Sequence, residues 1–530
     1  MKKHALLAAL IIFSLLASAC GSMNNLGSAP REREGLANTT PDMSYSYGQE
    51  QFAPSDGFSS DIPHTQRESY LVINENPAVL TDIESTLTFS LKVDTAAYTN
   101  VTRFIESGNL PPRDAVRTEE LINYFNYDGY MQFTDDSPFA LSVEVGPSPF
   151  SPNRHLAFIR VKTMDIDKSE LPPSNLTFLI DTSGSMSSHD RMPLLKESFG
   201  LLVDTLTEDD RVSIVTYAGS SEILLDGTSG ADKDRILSVI NSLQAGGSTA
   251  GGHGIMTAYA LAEKNYMPDA NNRVILATDG DFNVGVSSNA DLARLVGEKR
   301  GNGIYLSILG YGMGNIRDDL METLSREGNG NYFYIHNLAA ARKALVEELA
   351  ANLYTIADDV KAQVEFNPQN VKSFRLIGYE NRRLSNEDFA DDSKDAGEIG
   401  INTDVIMMFE LELNRTTVDD GSRYTSRSDS QPDFANELFD VRLRYKNPGE
   451  DISNLITHQV FFDNIVEVGS TDFRFASSVV AFSHMLRGSE YAADVTINDV
   501  FALAEEGIGP DFAGYRRDFL RLLNLYSKLV

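Results

Sequence analysis

The 530-residue chain has one cysteine, Cys20, only eight histidines, and 45 Lys and Arg against 76 Asp and Glu. A single cysteine excludes any intramolecular disulfide, so stability has to come from apolar cores. It also excludes a thiol nucleophile anywhere but position 20. The scattered histidines never fall into a His-Glu-x-x-His spacing, which disfavours a zinc protease of that class. No Gly-x-x-x-x-Gly-Lys-Ser/Thr segment offers a phosphate cradle, and no Gly-x-Ser-x-Gly turn offers a nucleophile elbow. The shortage of positive charge, a net −31, argues against nucleic acid as a partner, because that binding rests on neutralising phosphates with Lys and Arg. The acidity reads instead as a well-solvated surface. After residue 20 no apolar run is long enough to cross a bilayer.

What is present begins with a targeting segment at residues 1–20. Lys2 and Lys3 precede an apolar run from Ala5 to Leu16, too short to span a membrane comfortably. Ala17-Ser18-Ala19-Cys20 then resembles a bacterial lipobox, with alanine where leucine is usual and Leu16 one step earlier. The resemblance implies lipid on Cys20, an anchor that needs no transmembrane helix. Gly21 in place of an aspartate after that cysteine implies the outer membrane, with the periplasmic or the surface face left open. Residues 21–68 are rich in Ser, Gly, Pro, Asn and Asp and read as a flexible tether.

Three folded stretches follow. Residues 69–172 read as an α+β module: Leu87, Phe89, Leu91 and Val93 alternate with polar residues, helices are expected at 96–107 and 117–124, and strands at 139–145 and 155–162. From 173 to 353 apolar strands alternate with amphipathic helices. Strands are expected at 176–181, 211–218, 273–279, 304–310 and 332–336, with an edge strand at 221–226. This pattern implies an α/β fold, a doubly wound, mostly parallel, Rossmann-like sheet covered on both faces. Residues 354–530 read as an antiparallel β module with one wet face, as in Val441, Leu443 and Tyr445 against Arg442, Arg444 and Lys446, closed by helices at 472–487, 497–506 and 512–528. Residues 414–433 read as a long polar loop, and Asp388, Asp391, Asp392 and Asp395 as a solvated acidic cluster that lacks the EF-hand spacing.

The chemistry concentrates in three places. Residues 176–186 form an apolar strand ending at Asp181, followed by Thr-Ser-Gly-Ser-Met, so Asp181, Ser183 and Ser185 present short oxygen side chains at every second position. Such a loop can gather oxygens around a hard cation. Gly246-Gly247-Ser248-Thr249 adds a hydroxyl in a glycine loop, with His253 four residues beyond it, and the run from Arg273 ends in Thr278-Asp279-Gly280. Ligands of open α/β sheets bind at the carboxyl ends of the strands, where Asp181 and Asp279 both fall.

Together these motifs resemble the metal-ion-dependent adhesion site of von Willebrand factor type A domains. The resemblance implies Ser183, Ser185 and Thr249 as direct ligands of Mg²⁺ (or Mn²⁺ or Ca²⁺), with Asp181 and Asp279 acting mostly through water. It extends further. Leu-Lys-Val-Asp-Thr-Ala-Ala-Tyr-Thr-Asn from 91, Pro-Pro-Arg-Asp-Ala-Val-Arg-Thr-Glu-Glu-Leu-Ile-Asn-Tyr-Phe from 111 and Thr-Asp-Gly-Asp-Phe-Asn-Val-Gly-Val from 278 resemble a bacterial lipoprotein family. Arg-Leu-Ile-Gly-Tyr-Glu-Asn-Arg from 375 and Asp-Ala-Gly-Glu-Ile-Gly from 395 resemble its C-terminal domain of unknown function. The expectation is a membrane-anchored, non-enzymatic binding protein whose ion takes an Asp or Glu carboxylate from a protein partner. The alternatives are a metal-assisted hydrolase and a purely structural metal site in an envelope scaffold.

Overall fold

A computed structural model describes residues 68–530 apart from 93, 135–136, 168–170, 248–250, 281–287, 395 and 415–433. Cys20 and the leader, the tether up to residue 67, Thr249, Asp395 and nearly all of the polar loop at 414–433 therefore lie outside the described residues.

The central segment folds as its apolar pattern requires. Its six strands lie in the order Tyr332–Ile335, Tyr305–Tyr311, Asn271–Thr278, Ser174–Asp181, Arg211–Tyr217, Ser221–Ser229. All pairings are parallel except the last. Every residue of Ser174–Asp181 and Asn271–Thr278 is buried, because helices cover both faces. Leu176, Phe178 and Ile180 enter one core with Leu195 and Phe199 of the helix Met192–Thr205. Leu179, Val274 and Leu276 enter the opposite core with Ile255 and Tyr259 of the helix Gly251–Lys264. From Ser174–Asp181 the chain moves first to one neighbour, Arg211–Tyr217, and later returns to the other, Asn271–Thr278. This strand is thus the switch point, where an α/β sheet opens a crevice at its carboxyl edge.

The stretches 69–172 and 354–530 carry the strands and helices expected of them but do not stand as two separate modules. Their strands interleave in two antiparallel sheets. One runs Val79–Leu80, Val371–Ile377, Asp404–Leu413, His155–Thr163, Phe139–Pro147. The other runs Arg383–Leu384, Thr86–Ser90, Thr355–Phe366, Glu437–Lys446, Ser453–Phe461. Phe89 sits opposite Ala362, and Ala157 opposite Phe409. Phe89, Val145, Ile159, Val364, Phe409 and Leu443 share one core. The alternate residues of the first sheet, Leu156, Phe158, Ile406 and Met408, pack with the helices Ala96–Glu106, Thr118–Asn123, Thr471–Arg487 and Tyr515–Tyr526. Each stretch alone would leave strand edges and an apolar face open, so the two complete one framework. The central domain is an insertion into it, between His155–Thr163 and Thr355–Phe366.

Buried charge ties the insertion to the framework. Arg117 Nη1 meets Asp318 Oδ2 at 2.6 Å and Arg117 Nε meets Glu120 at 2.5 Å, while Arg382 pairs with Asp94 at 3.2 Å and lies 3.9 Å from Glu322. Pairing is what makes such burial tolerable, since an isolated buried charge is strongly destabilising.

Candidate metal centre

The site grows from the carboxyl ends of the two central strands. Ile180 pairs with Ala277, which sets Asp181 beside Thr278 and Asp279. Asp181 and Asp279 are both fully buried. Asp181 is held by three donors: the Ser183 backbone N–H to Oδ1 at 2.8 Å, and the Tyr217 and Thr278 hydroxyls to Oδ2 at 3.1 and 3.2 Å. Burial pushes its carboxyl up to about 6, aided by the nearby Asp279 charge and opposed by the Ser183 hydrogen bonds.

After Asp181 the chain turns so that the Ser183 and Ser185 hydroxyls lie 2.9 Å apart. Adjacent ligands of an octahedral Mg²⁺ at about 2.0–2.1 Å stand roughly 2.9 Å from each other. The hydroxyl pair therefore fits two neighbouring positions of one ion. Thr249 lies outside the described residues, but the loop leading to it is fixed against the first one. Gly184 N–H donates to Gly247 O at 3.1 Å, and Gly246 N–H to Thr182 O at 2.8 Å. Gly247 takes φ +90, a conformation that glycine adopts without a Cβ penalty. Among the described residues no three His, Cys, Asp or Glu side chains converge as a cation site, here or elsewhere. A centre built mainly from hydroxyls, with two carboxylates behind, is a donor set for a hard cation. His253 is exposed, and among the described residues no hydrogen bond joins its side chain to the site. Asp391 and Asp392 of the acidic cluster are engaged with Ser393 and with Arg444.

Sequence reasoning missed Arg191. Its side chain, 13% exposed, donates from Nη1 to Asp279 Oδ2 and to Ser185 O, both at 2.7 Å, and from Nη2 to Met313 O at 2.7 Å and Asn315 Oδ1 at 2.9 Å. No spacing rule links position 191 to 279 or 315, because only the sheet brings them together. Tyr217 was equally hidden, at the end of a strand read simply as apolar. Thr278 was visible in the Thr-Asp-Gly turn, with no signal that its hydroxyl would face Asp181.

The raised Asp181 carboxyl has a definite consequence for pH. Its native value lies above the ordinary 3.8, so the protonated form is favoured in the fold. The stability it lends the metal-free protein is complete in acid and is lost as pH rises through about 6. A cation needs the ionised form. The gain in melting temperature on adding Mg²⁺ is therefore expected to be larger at about pH 7.5 than at about pH 5, with affinity about tenfold weaker at the lower pH. Equal gains at both would show that Asp181 does not serve the ion.

Known proteins match the three stretches in turn. A family model described as von Willebrand factor type A domain matches residues 175–348, one described as von Willebrand factor matches 64–157, and one described as uncharacterized protein YfbK, C-terminal, matches 351–529. The chain is 41% identical over 471 residues to the uncharacterized protein YfbK of Escherichia coli strain K12, covering 87% of this chain and 81% of that one. It is 29% identical over 166 residues to mouse inter-alpha-trypsin inhibitor heavy chain H2, covering 30% of this chain and only 17% of that one. Among solved structures, a von Willebrand factor type A protein from Catenulispora acidiphila aligns over 74% of this chain and 91% of its own, at 16% identity and a TM-score of 0.42.

Proposed function

The chain belongs to the family of the bacterial protein YfbK, built around a von Willebrand factor type A domain, and from that premise we propose that it is a lipid-anchored, metal-dependent binding protein of the cell envelope. A von Willebrand factor type A domain implies a protein-binding, adhesion-type function, and such domains commonly bind a divalent metal and are typically not enzymes. The observation that carries the finer reading is the Ser183–Ser185 hydroxyl pair at 2.9 Å, set over the buried Asp181 and Asp279 at one sheet edge.

On this reading Ser183, Ser185 and Thr249 touch the ion, Mg²⁺ by preference and Mn²⁺ or Ca²⁺ as substitutes, while Asp181 and Asp279 act behind them. Neutral hydroxyls leave the ion only partly neutralised, so it retains attraction for a further anionic oxygen. An Asp or Glu carboxylate exposed on a protein partner supplies it. Cys20 carries the lipid, and the outer membrane is the membrane it enters. On this reading residues 21–67 link that lipid to Glu68, which is itself held in the fold by Arg103.

The test begins with protein stripped by EDTA. Addition of Mg²⁺ or Mn²⁺ is expected to raise the melting temperature, since a ligand of the native state stabilises it by mass action. Envelope protein captured by the wild type in Mg²⁺ is expected to elute with EDTA or excess glutamate and to be missing with Asp181→Ala. Capture that survives EDTA would refute the metal-bridged contact.

A further inference from the structure

The metal centre is joined by hydrogen bonds to the first described residues, 68–70, and this rests on the reading of that centre as a cation site. The loop 312–317, which follows the strand Tyr305–Tyr311, lies directly against the Asp279–Gly280 turn. Gly280, at φ +101, has no room for a side chain, since a Cβ there would stand 2.5 Å from Asn315 O. Gly312, at φ +76, is the same: a Cβ would meet Arg191 Nε at 2.1 Å. Arg191 closes the contact, with one guanidinium bound to Asp279, Ser185 O, Met313 O and Asn315.

The other side of this loop is held by the segment 68–70. Ser69 pairs with Arg317 in a parallel bridge, its N–H donating to Ile316 O at 3.0 Å. The Ser69 hydroxyl donates to Asp319 at 2.6 Å and accepts from Arg317 Nε at 3.1 Å. Glu68 Oε1 accepts the Gly314 N–H at 2.8 Å, and its carboxylate is gripped by Arg103 at 3.0 and 2.9 Å and by the Tyr70 hydroxyl at 2.7 Å. The Glu68 side chain is 1% exposed, so this is a built-in contact rather than a surface approach.

We infer that Arg191 is a positioning residue of the metal centre and that, through loop 312–317, cation binding and docking of the 68–70 segment are coupled. By holding Asp279 Oδ2, Arg191 fixes the orientation of that carboxylate before an ion arrives. The loop fixes Arg191, and Glu68 and Ser69 fix the loop. Groups that orient metal-binding side chains commonly govern 10- to 100-fold of affinity. Coupling is reciprocal, so an ion that favours the docked loop must tighten the 68–70 segment by the factor with which that segment tightens the ion. The segment is the first described part of the chain after Cys20, so the proposed partner face and the N-terminal side of the described fold are two ends of one hydrogen-bonded path.

The experiment uses the full chain with Mn²⁺ as the probe. Free Mn²⁺ is read by electron paramagnetic resonance, and exchange of the Ser69 and Gly314 amides by hydrogen–deuterium mass spectrometry. The wild type is expected to bind Mn²⁺ and to slow exchange at both amides at least about fivefold on binding. Glu68→Ala is expected to weaken Mn²⁺ by a similar factor. Arg191→Met is expected to weaken it about 10- to 100-fold, with Arg191→Lys restoring part of the loss. Mn²⁺ binding that leaves the two amides unchanged in the wild type would overturn the coupling while leaving the cation site intact, as would undiminished affinity in Glu68→Ala. No Mn²⁺ binding by the wild type would overturn both. The exchange measurement needs no variant, so a failure of Glu68→Ala to fold does not shield the inference.

Discussion

Replacing Ser183 and Ser185 together by alanine is expected to lower Mg²⁺ affinity at least about 100-fold and to abolish metal-dependent partner capture, while the metal-free melting temperature moves by no more than a few degrees. The two hydroxyls stand 2.9 Å apart and bond to one another, and Asp181, which also takes a hydrogen bond from the Ser183 side chain, keeps the Tyr217 and Thr278 hydroxyls when both serines are replaced. Removing both therefore leaves no buried donor or acceptor stranded, the case in which loss of a hydrogen bond is nearly neutral. The backbone bond from Ser183 N–H to Asp181 is kept, because alanine has the same N–H. The ion, by contrast, loses two direct ligands, a larger change than the 10- to 100-fold typical of groups that merely orient ligands. Calorimetric titration with Mg²⁺ reads the first effect and scanning calorimetry the second. Undiminished Mg²⁺ binding by the double variant would place the ion elsewhere. Collapse of the fold would instead make the hydroxyl pair structural.

Cutting the chain after residue 353 is expected to abolish folding of residues 69–172, although no residue of that stretch has been touched. Thr86–Ser90 would lose both neighbours, Thr355–Phe366 and Arg383–Leu384, and His155–Thr163 would lose Asp404–Leu413. Phe89, Ile159 and Val161 would face water in place of Phe366, Met407 and Phe409. At about 1.5–3 kcal/mol for each large apolar side chain exposed, even three of them approach the roughly 5–15 kcal/mol that holds a whole domain together. Protease digestion should reduce the 69–172 stretch to small peptides, and supplying residues 354–530 as a second chain should restore protection. Survival of a folded 69–172 fragment would contradict the shared core. The central domain, whose sheet closes within 174–335, should persist in either case.

How the chain is divided locally was legible from the residues. The helix expected at 96–107 is Ala96–Glu106, and the strand expected at 211–218 is Arg211–Tyr217. Hydrophobic period and capping act over a few neighbouring residues, so they are written in the order of those residues. Ser470, for example, accepts from the Phe473 N–H at the start of the helix Thr471–Arg487. The Asp181, Ser183, Ser185 and Asp279 positions were legible for a different reason: strand carboxyl ends in a parallel sheet share one edge, so two apolar runs ending in aspartate already imply proximity.

Local periodicity and a rule of chain handedness suffice to assign the main element types, the parallel central sheet and the gathering of Asp181, Ser183, Ser185 and Asp279 at its carboxyl edge. That Thr86–Ser90 pairs with Thr355–Phe366, that Arg191 reaches Asp279 and that Ser69 lies against Arg317 emerge solely from the folded chain. Those partners stand between 88 and 279 positions apart, as for Arg191 with Asp279 and Glu365 with Thr86. At such separations a residue's identity carries almost no information about its neighbour. Strand edges and charged side chains accept many partners, and the choice is made by the packing of the whole core.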